Sequence, residues 1–138
     1  MAITTLAVIE AALRDINVIG SVDSAAPEQG TYGVQRLNQM MAVWKEDSID
    51  VGYFSLEDTN GDCPIPEYAE LAVISGLAIA MAGRYGATLS QENIAVADTS
   101  ITTLKRKLIS ESLTNTDMTH LPRGTGKYWY GYDITNDT

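Results

Sequence analysis

Several short stretches of this chain hold residue types that perform chemistry in other settings, and each fails on spacing. Asp58-x-Asn60-x-Asp62 matches the opening of a calcium loop, where oxygen ligands at alternate positions converge on one cation. Such a loop needs glycine at its sixth position and glutamate at its twelfth. Here those positions are Cys63 and Ala69, with Pro64 and Pro66 between them, so a solvated turn is the better reading. Gly124-Thr125-Gly126-Lys127 has the ending of a phosphate loop, but the required first glycine is replaced by Leu121 and no strand pattern precedes it. His120 is the only histidine and stands beside Leu121-Pro122, which leaves no base to pair with a nucleophile. Glu67 and Glu70 share a helix face three residues apart. Glycoside chemistry needs two carboxylates in different environments across a cleft, whereas acids in a first helical turn answer the helix dipole. The sequence therefore predicts no catalytic residue, no cofactor site and no metal site, and a protein that is not an enzyme.

What remains is chemistry of recognition. The run Leu121-Pro122-Arg123-Gly124-Thr125-Gly126-Lys127-Tyr128-Trp129-Tyr130-Gly131-Tyr132 carries four of the ten aromatic residues and no apolar periodicity. Pro122 and three glycines oppose a continuous helix. Flexible tails are ordinarily poor in aromatics, while Tyr, Trp and Arg are the residues that anchor protein interfaces. Leu121, Pro122, Arg123, Lys127, Tyr128, Trp129, Tyr130 and Tyr132 are accordingly the candidate interface residues of an arm that orders on a partner. The competing reading folds that arm back onto its own domain.

The elements that would carry such an arm are helical. Leu6, Ile9, Leu13 and Ile16 step by one helical face and predict a first helix over about Thr5 to Asn17. Pro27 opens a second, with Val34, Leu37, Met41 and Trp44 at the same spacing, running to about Asp47 or Ser48. A third starts near Pro66 along Leu71, Ile74, Ala78, Met81 and Tyr85, ends at Gly86, and is apolar or small all round, which predicts the central helix. A fourth follows the capping residue Ser90 along Ile94, Ala97, Ile101, Leu104 and Leu108. Lys105, Arg106 and Lys107 fall late in it, where cations suit the dipole. Between the second and third helices, Ile49, Val51 and Tyr53 alternate with polar residues and Asn60-Gly61 is a hairpin turn pair, so residues 49–65 form either a short β-hairpin or an irregular loop. The fold predicted is all-α: a four-helix bundle over residues 1–115, with an extended C-terminal arm over 116–138.

Composition narrows the partners. At 138 residues with 45% hydrophobic content the chain makes one domain with a real core. Its net charge is −9. All of that excess falls in residues 1–70, where Arg14, Arg36 and Lys45 face twelve acids, while the second half is balanced. This opposes nucleic-acid binding, which needs a basic face to displace counterions. Asp47, Asp50, Glu57, Asp58 and Asp62 gather around the loop after the second helix, facing either a DNA channel or a basic partner. Met1 to Gly20 lacks a signal-peptide pattern. The longest uncharged apolar run, from Leu71 to Gly83, is short of the roughly 20 residues a bilayer needs. One cysteine, Cys63, leaves no internal disulfide, so the expected setting is a soluble protein of a reducing cytoplasm.

Several segments taken in order resemble a known family. Leu6-Ala7-Val8-Ile9-Glu10-Ala11-Ala12-Leu13-Arg14-Asp15-Ile16-Asn17-Val18-Ile19-Gly20 resembles the opening of the head-completion, or head-to-tail adaptor, proteins of tailed phages. So does Leu37-Asn38-Gln39-Met40-Met41-Ala42-Val43-Trp44 followed by Asp47-Ser48-Ile49, and the Ala-rich third helix closing on Arg84-Tyr85-Gly86 matches in style. Leu121-Pro122-Arg123-Gly124-Thr125-Gly126 is similar to a Pro-x-Gly-x-Gly element after the last helix. The chain looks closest to the tail accessory factors of short-tailed phages. The resemblance implies a helical bundle that assembles a twelve-copy ring beneath the portal protein, completes the DNA-filled head and offers tail proteins a platform. The arm would lie along the portal or a neighbouring copy, and DNA would pass through without being gripped. It places the protein in the virion at the head–tail junction and in the host cytoplasm during assembly. Two rival expectations come from other classes: an acidic DNA-mimic module that binds a host protein, and a cell-wall hydrolase.

Overall fold

A computed structural model of the chain describes residues 2–114, with side-chain surroundings to residue 112. Four α-helices follow in order: α1 (Thr5–Asp15), α2 (Pro27–Glu46), α3 (Glu70–Ala82) and α4 (Gln91–Thr114), with one 3-10 turn, Glu67–Ala69, leading into α3. The all-α class expected from periodicity is the class observed. The predicted arm over 116–138 lies outside the described residues.

Three of the helices, α1, α2 and α4, begin where the sequence offers a side-chain partner for free N–H groups. Thr4 Oγ1 accepts from the Ala7 N–H at 3.2 Å, and Ser90 Oγ accepts from the Asn93 N–H at 3.2 Å. At α2 the cap works in reverse, with Gln29 Oε1 accepting from the Ala26 N–H at 2.8 Å and Pro27 filling the first position. Three helices end alike. Asn17 (φ 57°), Ser48 (φ 66°) and Gly86 (φ 61°) turn left-handed after α1, α2 and α3. The next N–H in each case reaches five residues back: Val18 to Leu13 O at 3.0 Å, Ile49 to Trp44 O at 2.8 Å, Ala87 to Ala82 O at 3.0 Å. This is the Schellman arrangement, and it turns an apolar residue inward at each exit.

α3 is the hub. It packs on α1, α2 and α4, whereas the substantial contacts of α4 among the described residues are with α3. Val73, Leu77, Ala78 and Met81 are buried there against Val8, Ile9, Ala12 and Leu13 of α1 and Leu37, Met41 and Trp44 of α2. Two glycines set the spacing. A Cβ on Gly33 would stand 2.6–2.9 Å from three carbons of Ile9, and one on Gly76 would stand 3.1 Å from Met40 Sδ and Trp44 Cζ2.

One sequence expectation needs correction, and one open alternative is decided. The third helix ends at Ala82 and not at Gly86, with residues 83–86 in turns; of the expected stripe, Ala78 and Met81 are buried but Leu71 is 59% exposed, and Val73 and Leu77 complete the buried face. A helix apolar on every side has no periodicity to locate its core face. The second concerns residues 49–65, which form a loop without strands. The period-two pattern is real as burial, because Ile49, Val51 and Tyr53 face inward while Asp50, Gly52 and Phe54 face out. No hairpin closes on it. A type I′ turn at Asn60-Gly61 needs positive φ at both residues, and only Gly61 has it. Pro64 and Pro66 lack the N–H groups a returning strand would supply. The return segment pairs instead with the N-terminus: Cys63 N–H donates to Ile3 O at 2.8 Å and Thr5 N–H donates to Gly61 O at 3.0 Å, an isolated antiparallel bridge centred on Thr4 and Asp62.

Ser48 is a non-glycine residue in the left-handed region, a conformation that glycine adopts without steric penalty. Ser48→Gly is expected to raise stability by about 0.5–1 kcal/mol, seen as a rise of a few degrees in the thermal midpoint with unchanged helical circular dichroism.

Candidate functional site

The loop between α2 and α3 carries the five predicted acidic residues, and all five are exposed. Two of the carboxylates bond within the loop itself. Asp50 Oδ1 accepts from the Gly52 N–H at 3.0 Å, and Asp58 accepts from both the backbone N–H and the side-chain amide of Asn60, at 3.0 and 3.2 Å. These are Asx turns. Asp47 caps the end of α2 and Asp62 sits in the bridge to Thr4. Among the described residues no three His, Cys, Asp or Glu side chains converge as a metal site would require.

What holds this loop in place was not singled out from sequence. Asn38, mid-way along α2, donates from Nδ2 to Leu56 O at 2.8 Å and accepts at Oδ1 from Leu56 N–H at 3.0 Å and from the Tyr53 hydroxyl. One side-chain amide thus satisfies both backbone groups of Leu56, as a neighbouring strand would. A polar residue next to Leu37 on a buried helix face was the available signal. Burial raises the Tyr53 hydroxyl above its ordinary range, with the nearby Cys63 adding to it. Cys63 itself is buried, and that burial, reinforced by Glu70, pushes its thiol up to about 11. A thiol so placed stays protonated and is not a nucleophile at neutral pH.

A second surface lies where α2 begins and α3 ends. Arg84 stacks its guanidinium 4.1 Å from the Tyr32 ring centre, Arg36 Nε donates to the Tyr32 hydroxyl at 2.8 Å, and Tyr85 meets Tyr32 edge-on at 5.9 Å. Pro27, Glu28, Thr31 and Gln35 complete a shallow pocket of about 340 Å³ beside it. Arginine and tyrosine locked together in this way are the side chains that most often carry interface energy. Sequence reasoning placed neither arginine here, because Arg36 comes from α2 and Arg84 from the turn after α3. The third surface is an open apolar groove between α3 and α4, lined by Tyr68, Leu71, Val96 and small residues. Leu121, Pro122, Arg123, Lys127, Tyr128, Trp129, Tyr130 and Tyr132, the predicted interface set, lie outside the described residues.

The surface features described are exposed Asx-turn carboxylates, the arginine–tyrosine cluster around Tyr32 and the α3–α4 groove, while the Cys63 thiol is buried. A family model described as P22 tail accessory factor matches residues 1–136. The chain belongs to the P22 tail accessory factor family. Family membership carries a structural role in a phage tail and association with other virion proteins. No curated protein sequence matches the chain at a significant level. Among the described residues, no helix is long and apolar enough to cross a membrane.

Two outcomes test this geometry. Asn38→Ala leaves the Leu56 N–H and C=O without partners and is expected to cost about 2–3 kcal/mol; hydrogen exchange at Leu56 should accelerate while amides of α1 and α3 stay protected. Stability should also fall as pH rises from about 9 towards 11. Over that window the unfolded chain has released the Cys63 proton and the native chain still holds it, so the native state binds more protons and loses ground with each pH unit. Cys63→Ala should flatten that slope in alkaline denaturation curves.

Proposed function

We propose that this protein is a head-to-tail adaptor: copies of it form a ring, of the twelvefold kind its resemblance implies, beneath the portal protein, close the DNA-filled head and present a platform to tail proteins. The observation that carries the reading is the match of the P22 tail accessory factor family along residues 1–136, on a bundle whose exposed features are interaction surfaces. Closed rings need heterologous contacts, in which one surface of a subunit meets a different surface of the next. The Tyr32–Arg84 cluster and the α3–α4 groove are two dissimilar surfaces on one subunit. The C-terminal arm, with Arg123, Lys127, Tyr128, Trp129 and Tyr130, is the portal-binding element.

In this arrangement Asp47, Asp50, Glu57, Asp58 and Asp62 line the lumen. Like-charge repulsion toward phosphate keeps a conduit from gripping the DNA it conducts. DNA is then cargo and not a ligand, and no cofactor takes part.

Ring formation should be templated. Ordering an arm of some 20 residues costs on the order of 1–2 kcal/mol per residue in backbone entropy. A portal that presents many equivalent tracks offsets this and brings later subunits together at high effective concentration. The free chain should therefore sediment as a monomer at micromolar concentration and appear as a ring in electron micrographs once portal is added. A stable ring without portal, or no association with portal at all, would overturn the proposal. Trp129→Ala should weaken portal binding about tenfold or more, as loss of an aromatic anchor does, with little change in the melting midpoint.

A further inference from the structure

Val22 is 92% exposed, more than any other large apolar residue among those described. The backbone that carries it is fixed. The Asp23 N–H donates to Gly20 O at 3.2 Å, and Asp23 Oδ2 accepts from the Gly20 N–H at 3.1 Å, which closes a turn with Ser21 and Val22 at its tip. α1 grips the chain just beyond. Arg14 donates to Asp23 O at 3.0 Å, and Glu10 Oε1 accepts from the Ala25 N–H at 3.0 Å. A single exposed valine is ordinary on a protein surface. One held out on a turn tied by four hydrogen bonds is a preformed knob, because little ordering remains to be done when it binds.

A hollow of matching chemistry lies on α2. Met40, Val43 and Trp44 share one face at helical spacing and, with Ala80 of α3, floor a pocket of about 400 Å³ edged by Arg36 and Gln39. Val43 is 62% exposed there. Arg36 donates to the Tyr32 hydroxyl at 2.8 Å and to Gln39 Oε1 at 3.2 Å. A guanidinium has five N–H donors, so those two bonds fix its position and leave the others unspent. Among the described residues no carboxylate forms an ion pair with it. The pocket therefore suits an apolar side chain with a carboxylate beside it.

We infer that the Val22 turn of one copy seats in the α2 pocket of the next, with Val22 on Met40, Val43 and Trp44 and the Asp23 carboxylate on Arg36. Knob and hollow are different surfaces of one chain, which is what a heterologous contact requires. Charge selects this segment over the other apolar knob with acids around it, Phe54. The Phe54 loop would bring Asp50, Glu57 and Asp58 towards Glu46 and Asp47, which stand exposed one turn past Val43, and like charges set face to face oppose contact. The Val22 turn brings Asp23 alone, and Arg36 answers it. The inference rests on the adaptor reading and names the two surfaces that meet between neighbours. Because the contact is measured without portal, its absence leaves open a ring gathered through other surfaces, and absence of a ring on portal leaves the contact standing.

The test mixes two full-length chains that can form this contact once and no further. The chain labelled with ¹⁵N carries Val22→Asp and presents only the pocket; the unlabelled chain carries Val43→Asp and presents only the turn. Both changes are at exposed positions, and the melting midpoint of each should stay near that of the parent. At submillimolar concentration the Trp44 indole N–H and the Arg36 Nε–H of the labelled chain should shift as the unlabelled chain is added. Arg36→Glu in the labelled chain, with circular dichroism showing the fold intact, should weaken the contact at least tenfold. Giving the unlabelled chain Val22→Asp as well should abolish the shifts, whereas Val22→Leu should keep them. No shifts in the first mixture, shifts indifferent to Val22→Asp, or binding unchanged by Arg36→Glu would each overturn the inference. Shifts that survive Val22→Asp and vanish with Phe54→Asp would overturn it too, and would assign the pocket to the acidic loop.

Discussion

The approach of three helices to α3 sets the terms for everything else in this bundle. α3 is thirteen residues long and mostly alanine, glycine, serine and mid-sized aliphatics. Side chains that short let neighbouring backbones come close, and close packing turns many weak dispersion contacts into stability. The contact at Gly76 shows the limit: a single methyl group there would meet both Met40 and Trp44. Because α3 is surrounded, α1 and α2 need little contact of their own, except where Gly33 lets Ile9 seat against α2. α4 is a different case. It leans on α3 through Ala97, Leu104 and the half-buried Ile101 and Leu108, and one hydrogen bond from Asn93 to Asp15 O ties its start to α1. A 24-residue helix spans about 36 Å, against about 20 Å for α3, so the last turns of α4 have no α3 partner beside them. The α3–α4 groove is the visible result of a long polar helix resting on a short small-residue one.

The acidic loop depends on the same core by another route. It has no strand partner, so its backbone is held at three points: the bridge of residues 61–63 to the N-terminus, the grip of Asn38 on Leu56, and the burial of Ile49, Cys63 and Ile65. Tying the loop inward leaves its carboxylates outward. Asp50 and Asp58 then use their oxygens to shape tight turns, which fixes where negative charge stands relative to the helices. An acidic surface made this way is positioned by buried residues and not by the acids themselves.

How much of this was legible in sequence follows from what repeats. α2 was readable almost residue by residue, because Val34, Leu37, Met41 and Trp44 are large, apolar, regularly spaced and all buried. The Ser90 cap was readable for a similar reason, since a hydroxyl at that point has one obvious task. α1 was mostly readable: Ile9, Leu13 and Ile16 are buried as expected, but Thr5 takes the place at the core that Leu6 was expected to fill, and its hydroxyl has no partner. α3 hid its core face by being apolar everywhere. The loop was misleading because strand-like alternation reports only inward and outward placement, and here the inward side chains meet α2. The Tyr32–Arg36–Arg84–Tyr85 cluster was illegible, since it joins residues some fifty positions apart and no local pattern announces it.

Charge adds a constraint that packing does not. Each chain carries −9, all of it from the half that contains the acidic loop. In the proposed ring, copies set side by side would repel one another through those loops, and the repulsion would grow with every copy added. At physiological ionic strength the Debye length is about 8 Å, so loops a subunit's width apart feel little of it, while residues at the subunit boundary feel more. The favourable contacts must therefore sit away from the loop. Two described surfaces lie on other elements: the α3–α4 groove is lined by uncharged residues with Lys107 set over its Tyr68 ring at 3.7 Å, and the Tyr32 cluster brings Arg36 and Arg84 together on the otherwise acidic subunit. A subunit built in this way resists association through one region and invites it through others, and the balance between the two decides whether copies remain apart or join only where a partner supplies additional contacts.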